Sequence, residues 1–134
     1  MKVNIKKLKD NLNFSYAPYS KFKVSALAID SQGREFYGVN CENIAYPSGL
    51  CAERSALFSS VVHGAEVGTF KEIHIIATSE EPIYPCAGCI QVMCQFMQPD
   101  SKVYCYSNDA KIVNEHKLKE LIPYGLWPTS IKVG

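Results

Sequence analysis

Two short clusters in this 134-residue chain carry side chains that can do chemistry: Cys51-Ala52-Glu53 and, 34 residues after Cys51, Pro85-Cys86-Ala87-Gly88-Cys89. Thiolate is the form of cysteine that binds metal, and a Cys-x-x-Cys pair at the start of a helix lets both sulfurs reach one zinc ion at ~2.3 Å. Cys51, from a second helix start, completes a three-sulfur face. Both clusters fall at expected helix N-termini, where unpaired N–H groups and the positive end of the helix dipole favour the thiolate. Three protein ligands leave the fourth tetrahedral position open, which marks a catalytic rather than a structural metal site.

Glu53 stands two residues beyond one ligand, in the first helical turn, where side chains tilt back toward the helix mouth. It is therefore placed to exchange protons with a water at the open corner without ligating the metal. The same carboxyl can protonate a ring nitrogen and a departing amine, which is the inventory of a hydrolytic deamination. Three thiolates with Zn²⁺ sum to about −1, unfavourable for acidifying water. Arg54 is the candidate to offset that charge by hydrogen-bonding a ligand sulfur. By itself, the Cys86/Cys89 pair also fits a redox-active dithiol or half of a structural zinc site. Cys94 is a conceivable fourth ligand, but it lies five residues past Cys89, more than a helical turn away.

The elements that position these groups read from periodicity and punctuation. Residues 2–13 set Val3, Ile5, Leu8 and Leu12 among polar residues, a helical pattern that Pro18 ends. Phe22 to Ile29 and Arg34 to Asn40 are β-prone runs joined by Asp30-Ser-Gln-Gly33, a hairpin signal. Residues 50–63 predict a helix with Leu57, Phe58, Val61 and Val62 as its apolar face, Ser48 as N-cap and Gly64 as stop. Glu72 to Thr78 is apolar enough for a buried central strand. Pro85 opens a second helix, with Cys86, Ile90, Met93 and Met97 on one face, and Pro99 closes it. Lys102 to Tyr106 predicts another strand, and residues 111–122 a short strand and a short helix. The order predicts an α/β fold: a mixed sheet of about five strands between helical layers, α/β/α, formed by residues 1–134 as a single domain.

Bulk properties are those of a soluble globular chain, with 47% hydrophobic and 20% charged residues. A net charge of +1 gives no electrostatic footprint for nucleic acid or membrane. No apolar run approaches the ~20 residues of a membrane span, and the N-terminus lacks a secretory pattern. These features predict a cytoplasmic protein, in which six cysteines stay reduced. Cys41, Cys94 and Cys105 read as small buried hydrophobes, and His63, His74 and His116 match no ligand spacing.

Taken in order, the motifs closely resemble the small homotetrameric cytidine deaminases over nearly the whole chain. They are Ser15-Tyr-Ala-Pro-Tyr-Ser-Lys-Phe-Lys-Val24, Asn40-Cys-Glu-Asn43, Ala45-Tyr-Pro-Ser-Gly-Leu-Cys-Ala-Glu-Arg54 and Pro85-Cys-Ala-Gly-Cys-Ile-Gln91. The resemblance implies zinc-dependent conversion of cytidine, and of 2′-deoxycytidine, to the uridine and ammonia, with one zinc per subunit. It further implies that Asn40 and Glu42 bind the ribose 3′-hydroxyl, that Phe22 packs on the pyrimidine, and that Glu53 and the Ala52 backbone read the base edge. Tyr46 then approaches the ribose from a neighbouring subunit. The departures are specific. Ile90 stands where the family usually has Arg, leaving Arg54 and Gln91 to support the thiolates or subunit contacts. Ser25 replaces a usual Gly. Leu121-Ile-Pro-Tyr-Gly-Leu126 stands where the family often ends in a pocket-covering Phe, so that role falls to Leu126, Tyr124 or Trp127. Two other readings share the zinc motifs: a deaminase of a nucleoside antibiotic such as blasticidin S, and a non-catalytic module with a closed four-ligand site.

Overall fold

The structure is a computed structural model that describes residues 3–131. Helix α1 (Ile5–Asp10) leads into a 3₁₀ turn, followed by strands β1 (Val24–Asp30) and β2 (Glu35–Val39). Helix α2 (Ala52–Ser60), strand β3 (Phe70–Ala77), helix α3 (Ala87–Phe96) and strand β4 (Met97–Tyr106) come next, and β5 (Val113–Lys117) and α4 (Leu118–Leu121) complete the fold. The five strands form one mixed sheet in the order β2-β1-β3-β4-β5. Only β3 and β4 run parallel, as a crossover through α3 requires; the other neighbours are antiparallel. The α/β architecture expected of the sequence is present.

Alternation along the strands divides the core between the two sheet faces. One face sends Val24, Ala26, Ala28, Ile73, Ile75, Val103 and Cys105 against Leu57 of α2, Met93 and Phe96 of α3, and Leu118 of α4. The opposite face carries Leu27, Ile29, Ile76 and Tyr106, over which α1 lays Leu8. On that second face His74 is buried, stacks on Tyr104, and bonds Tyr106 through Nδ1 at 2.7 Å and Glu72 through Nε2 at 2.8 Å. Burial outweighs the Glu72 contact and holds its pKa below the usual value.

Several local expectations are corrected. The first helix covers only Ile5–Asp10, with Asn11–Phe14 wound as 3₁₀; residue 2 lies outside the described residues. Ser48 does not cap α2. It belongs to a 3₁₀ turn, Tyr46–Ser48, and the N-cap is Cys51, whose extended backbone (φ −73°, ψ 156°) brings a zinc-motif sulfur to the helix mouth. Gly64 does end the segment, with φ +88°, a left-handed conformation that suits glycine. Pro99 does not close α3: the helix ends at Phe96 and β4 starts at once. The register then shifts between Phe70↔Met97 and Glu72↔Lys102. Ser101 bridges the irregularity, accepting from the Gln98 N–H and donating to the Phe70 carbonyl, both at 2.9 Å.

The largest correction concerns the face by which α2 meets the sheet. Its buried residues are Ala52, Glu53, Ala56, Leu57 and Ser60, whereas Phe58, Val61 and Val62 are exposed. The inward face is built of small side chains because the helix backbone comes down onto β2 at Gly38. A Cβ at Gly38 would stand 2.4 Å from the Ala56 nitrogen and 2.6 Å from the Ala52 carbonyl oxygen, so the close seat exists only for glycine. Gly38→Ala must therefore lift the start of α2 or distort β2. The expected loss is about 1–3 kcal/mol of unfolding free energy, read by urea denaturation of the purified protein.

Candidate active site

The parallel pair β3/β4 and the seat at Gly38 bring the first residues of α2 and α3 together. Cys51 and Cys86 occupy equivalent places as the N-cap residues of α2 and α3, both with extended backbone, and Cys89 follows in the first turn of α3. The three Sγ atoms all lie within 4.8 Å of one another, with Cys86 and Cys89 at 3.4 Å. Three sulfurs at ~2.3 Å from one tetrahedral ion stand roughly 3.8 Å apart, so this donor set fits a single zinc. Among the described residues these are the only three Cys, His, Asp or Glu side chains that converge in this way. Cys94 is buried outside the group, which gives no support to a fourth sulfur ligand.

Electrostatics favour negative charge on the cluster. The Cys51 thiol is drawn down to about 5, first by the hydrogen bond from Cys89 and then, against the effect of burial, by the Arg54 guanidinium. Cys89 is pushed in the opposite direction by its bond to Cys51 and by burial. Arg54 donates from Nη2 to the Cys51 sulfur at 3.1 Å, and its pKa rises mainly through that bond. This places the cation where the charge of three thiolates requires one.

Glu53 is 5% exposed on the inner face of α2 and is not among the converging ligands. Its carboxyl titrates above the usual range because burial disfavours the anion and the Cys51 charge adds to the effect; its own backbone N–H, Cys89 and Arg54 pull the other way. A buried carboxyl whose pKa is raised, standing beside a cluster of sulfurs, has the properties of a proton shuttle.

Beside the cluster opens a cleft of about 520 Å³, within the range of small-molecule sites. Asn40, Glu42 and Tyr46 line it together with Cys51 and Arg54. The Asn40 amide ties down its surroundings: Oδ1 accepts from the Val24 N–H at 2.9 Å and from the Ser15 hydroxyl, and Nδ2 donates to the Phe22 carbonyl at 2.8 Å. Glu42 accepts from the backbone N–H groups of Tyr19 (2.9 Å) and Ser20 (3.1 Å) and from the Ser20 hydroxyl. The Ser20 contacts hold its carboxyl below the usual carboxylate range.

Other expected site residues lie elsewhere. Ala52 is fully buried as the first residue of α2, and Phe22 is exposed and does not line the cleft. Gln91 does not reach the sulfurs; its amide donates to the Leu126 carbonyl at 2.8 Å and so fastens the C-terminal segment to α3. Leu126 is half exposed and Tyr124 fully so, while Trp127 packs against the core; none of them lines the cleft. Cys41, expected to be buried, is exposed and forms part of the cleft wall. Tyr19, Ser20 and Asn43 also line it. All three stand inside the motifs quoted from the sequence, but nothing in their spacing marks them as cleft residues; the fold does.

Comparison with known proteins agrees with this geometry. Residues 4–107 match the model of the cytidine and deoxycytidylate deaminase zinc-binding region. Cytidine deaminase from Sporosarcina psychrophila is 38% identical over 109 residues, 81% of this chain and 78% of that protein. Cytidine deaminase from Mycoplasma genitalium is 34% identical over 129 residues, 93% and 97% of the respective lengths. The crystal structure of cytidine deaminase from Burkholderia pseudomallei superposes with a TM-score of 0.84 at 36% identity, covering 91% of this chain and 95% of that one. With its three zinc-motif cysteines and Glu53 all inside the matched region, this chain belongs to the zinc-binding cytidine and deoxycytidylate deaminase family.

Proposed function

We propose that the protein is a zinc-dependent hydrolase that converts cytidine, and 2′-deoxycytidine, to the corresponding uridine and ammonia, a reaction of pyrimidine salvage. The observation that carries this reading is a buried carboxyl at Glu53, with its pKa raised by burial, beside three converging sulfurs that would leave one tetrahedral position for water. Cys51, Cys86 and Cys89 hold the zinc. When bound, the metal supplies the Lewis-acid polarisation that makes water acidic near neutral pH. Glu53 accepts the water's proton as the oxygen bonds to C4 of the base. It passes that proton to the ring nitrogen, then takes the second proton from the oxygen now on C4 and hands it to the amine, so that the C4–N bond breaks, the carbonyl forms and ammonia leaves. Arg54 keeps the sulfur cluster from accumulating uncompensated charge.

At the other end of the cleft, the second N–H of Asn40 and the carboxylate of Glu42 offer a donor and an acceptor to a sugar hydroxyl. Phe22 supplies an apolar surface for the pyrimidine, and the Ala52 backbone reads the base edge. The carboxylate on the wall and the engagement of Arg54 with Cys51 leave no free cation in the cleft lining among the described residues, which favours a nucleoside over its phosphate. The named relatives are cytidine deaminases, and nothing in the cleft favours a nucleoside antibiotic instead. All these residues lie in one catalytic domain spanning 1–134.

The reading extends to assembly and location. Phe14, Ile44, Tyr46, Val62 and Tyr124 are each more than 70% exposed, a large apolar load for a monomer's surface. A homotetramer would bury such residues and carry Tyr46 or Leu126 of one subunit toward another's cleft. The zinc site needs reduced thiols, and all six cysteines are free, which suits the reducing cytoplasm. No helix among the described residues is long and apolar enough to cross a membrane.

Three outcomes are expected. Glu53→Gln retains one zinc per chain by elemental analysis, while cytidine turnover followed by absorbance falls by about 10²–10⁴-fold; wild-type turnover in that variant removes Glu53 from the mechanism. Stripping the wild-type enzyme with a zinc chelator abolishes turnover, and adding zinc restores it. Light scattering coupled to size exclusion gives four chains per particle, and a monomeric mass refutes the assembly.

A further inference from the structure

Of the three sulfur ligands, Cys89 is buried, Cys51 is half-buried, and Cys86 is exposed. Cys86 is also the ligand with the least regular support, because it ends the nine-residue connection from β3 to α3 (residues 78–86). The early part of that connection is anchored. The Thr78 N–H donates to the Lys23 carbonyl and the Ser79 carbonyl accepts from the Asn108 N–H, both at 3.1 Å. Within Pro82-Ile83-Tyr84-Pro85, by contrast, no backbone group makes a backbone hydrogen bond, and the Tyr84 phenol is the only side-chain hydrogen-bonding group engaged among the described residues.

Two contacts hold this segment. Ile83 packs against the core beneath the helices. Tyr84 reaches across to the edge strand β5: its hydroxyl lies 3.1 Å from His116 Nε2 and accepts from Asn114 Nδ2 at 3.4 Å. Its ring meets the imidazole edge-to-face with centroids 5.3 Å apart. His116 pairs with Val103, so both belong to the sheet face that carries α3. Pro85, with its fixed φ, then transmits the position of Tyr84 to Cys86 with few torsions left free.

We propose that Tyr84 and His116 form a strap that positions Cys86 and thereby governs how long the site keeps its zinc. A multidentate site loses its metal one ligand at a time, and the accessible ligand on the least supported segment is the one that departs first. The strap does not touch the metal. It raises the local concentration of the Cys86 sulfur at the ion after each transient detachment, so recapture outruns release. This makes Tyr84 and His116 positioning residues; neither has a part in proton transfer. The proposal rests on the three-sulfur zinc site proposed above.

The test is the rate of zinc transfer from the fully loaded protein to an excess of a chromogenic chelator. It is run on wild type, Tyr84→Phe, His116→Ala and the double variant, alongside the melting temperatures of their zinc-free forms. Tyr84→Phe removes the hydroxyl's bonds and keeps the ring contact; His116→Ala removes the ring contact and the shorter hydroxyl bond, leaving only the 3.4 Å contact with Asn114. Release is expected to quicken by about threefold in the first and about tenfold in the second. The double variant should stay close to His116→Ala, since both changes cut the same strap and only the long Asn114 contact is left for the second to remove, and the zinc-free melting temperatures should be unchanged. Release rates equal to wild type in all variants, multiplicative effects in the double variant, or faster release accompanied by a matching drop in zinc-free melting temperature each overturn the strap. A wild-type protein that carries no stoichiometric zinc overturns the strap and the three-sulfur site together, whereas a zinc-loaded wild type with unaffected variants removes the strap alone.

Discussion

Everything in this molecule answers to the convergence of two helix starts. Three sulfurs can share one ion only if the N-cap of α2 and the first turn of α3 come within a few ångströms of each other, and neither helix determines that distance alone. The parallel β3–β4 pair sets the position of α3 through its crossover. Seating α2 directly on the backbone of β2 at Gly38 sets the other. A bulky inward face on α2 would hold the helix off the sheet and separate the sulfurs. The small residues Ala52 and Ala56 are thus a geometric condition of the metal site as well as part of the core.

The same geometry arranges the charges. Placing sulfur at an N-cap points unpaired N–H groups and the helix dipole at a thiolate, and placing Arg54 three residues on lets the guanidinium fold back to Cys51. Glu53, between them in sequence, faces inward, where desolvation raises its pKa. One turn of helix thereby supplies a ligand, an acid/base group and a counter-cation, each in a different environment. Ile90 adds none of this charge compensation, so Arg54 carries it without help from that position.

The metal motif, Glu53 and the sheet-with-helices architecture are legible in the sequence because each rests on short-range spacing: Cys-x-x-Cys, Cys-x-Glu, and periodic apolar runs closed by Gly or Pro. What is not legible depends on distant partners. The apolar stripe Leu57, Phe58, Val61, Val62 looks like a core face, yet only Leu57 is buried, because the approach of β2 rather than the helix's own pattern selects which side turns inward. Pro99 looks like a helix stop, but α3 ends three residues earlier, where the chain must turn to pair beside β3. Cys41 resembles a buried thiol by type, and only the bridges that set Cys41 against Tyr16 and Leu50 bring it to the cleft wall. The part played by Gln91 is equally hidden, since its partner, the Leu126 carbonyl, lies 35 residues away.

Glu42 illustrates how the cleft meets a ligand. Its two oxygens already accept three hydrogen bonds from the turn at Tyr19 and Ser20, and Asn40 is likewise tied to the first strand and the residues before it. The rotamer freedom of both side chains has therefore been surrendered during folding, before any guest arrives. An incoming hydroxyl meets a rigid mould instead of ordering a mobile one. Affinity at that end then depends on complementarity of shape and polarity, and a poorly matched guest finds little capacity to adjust.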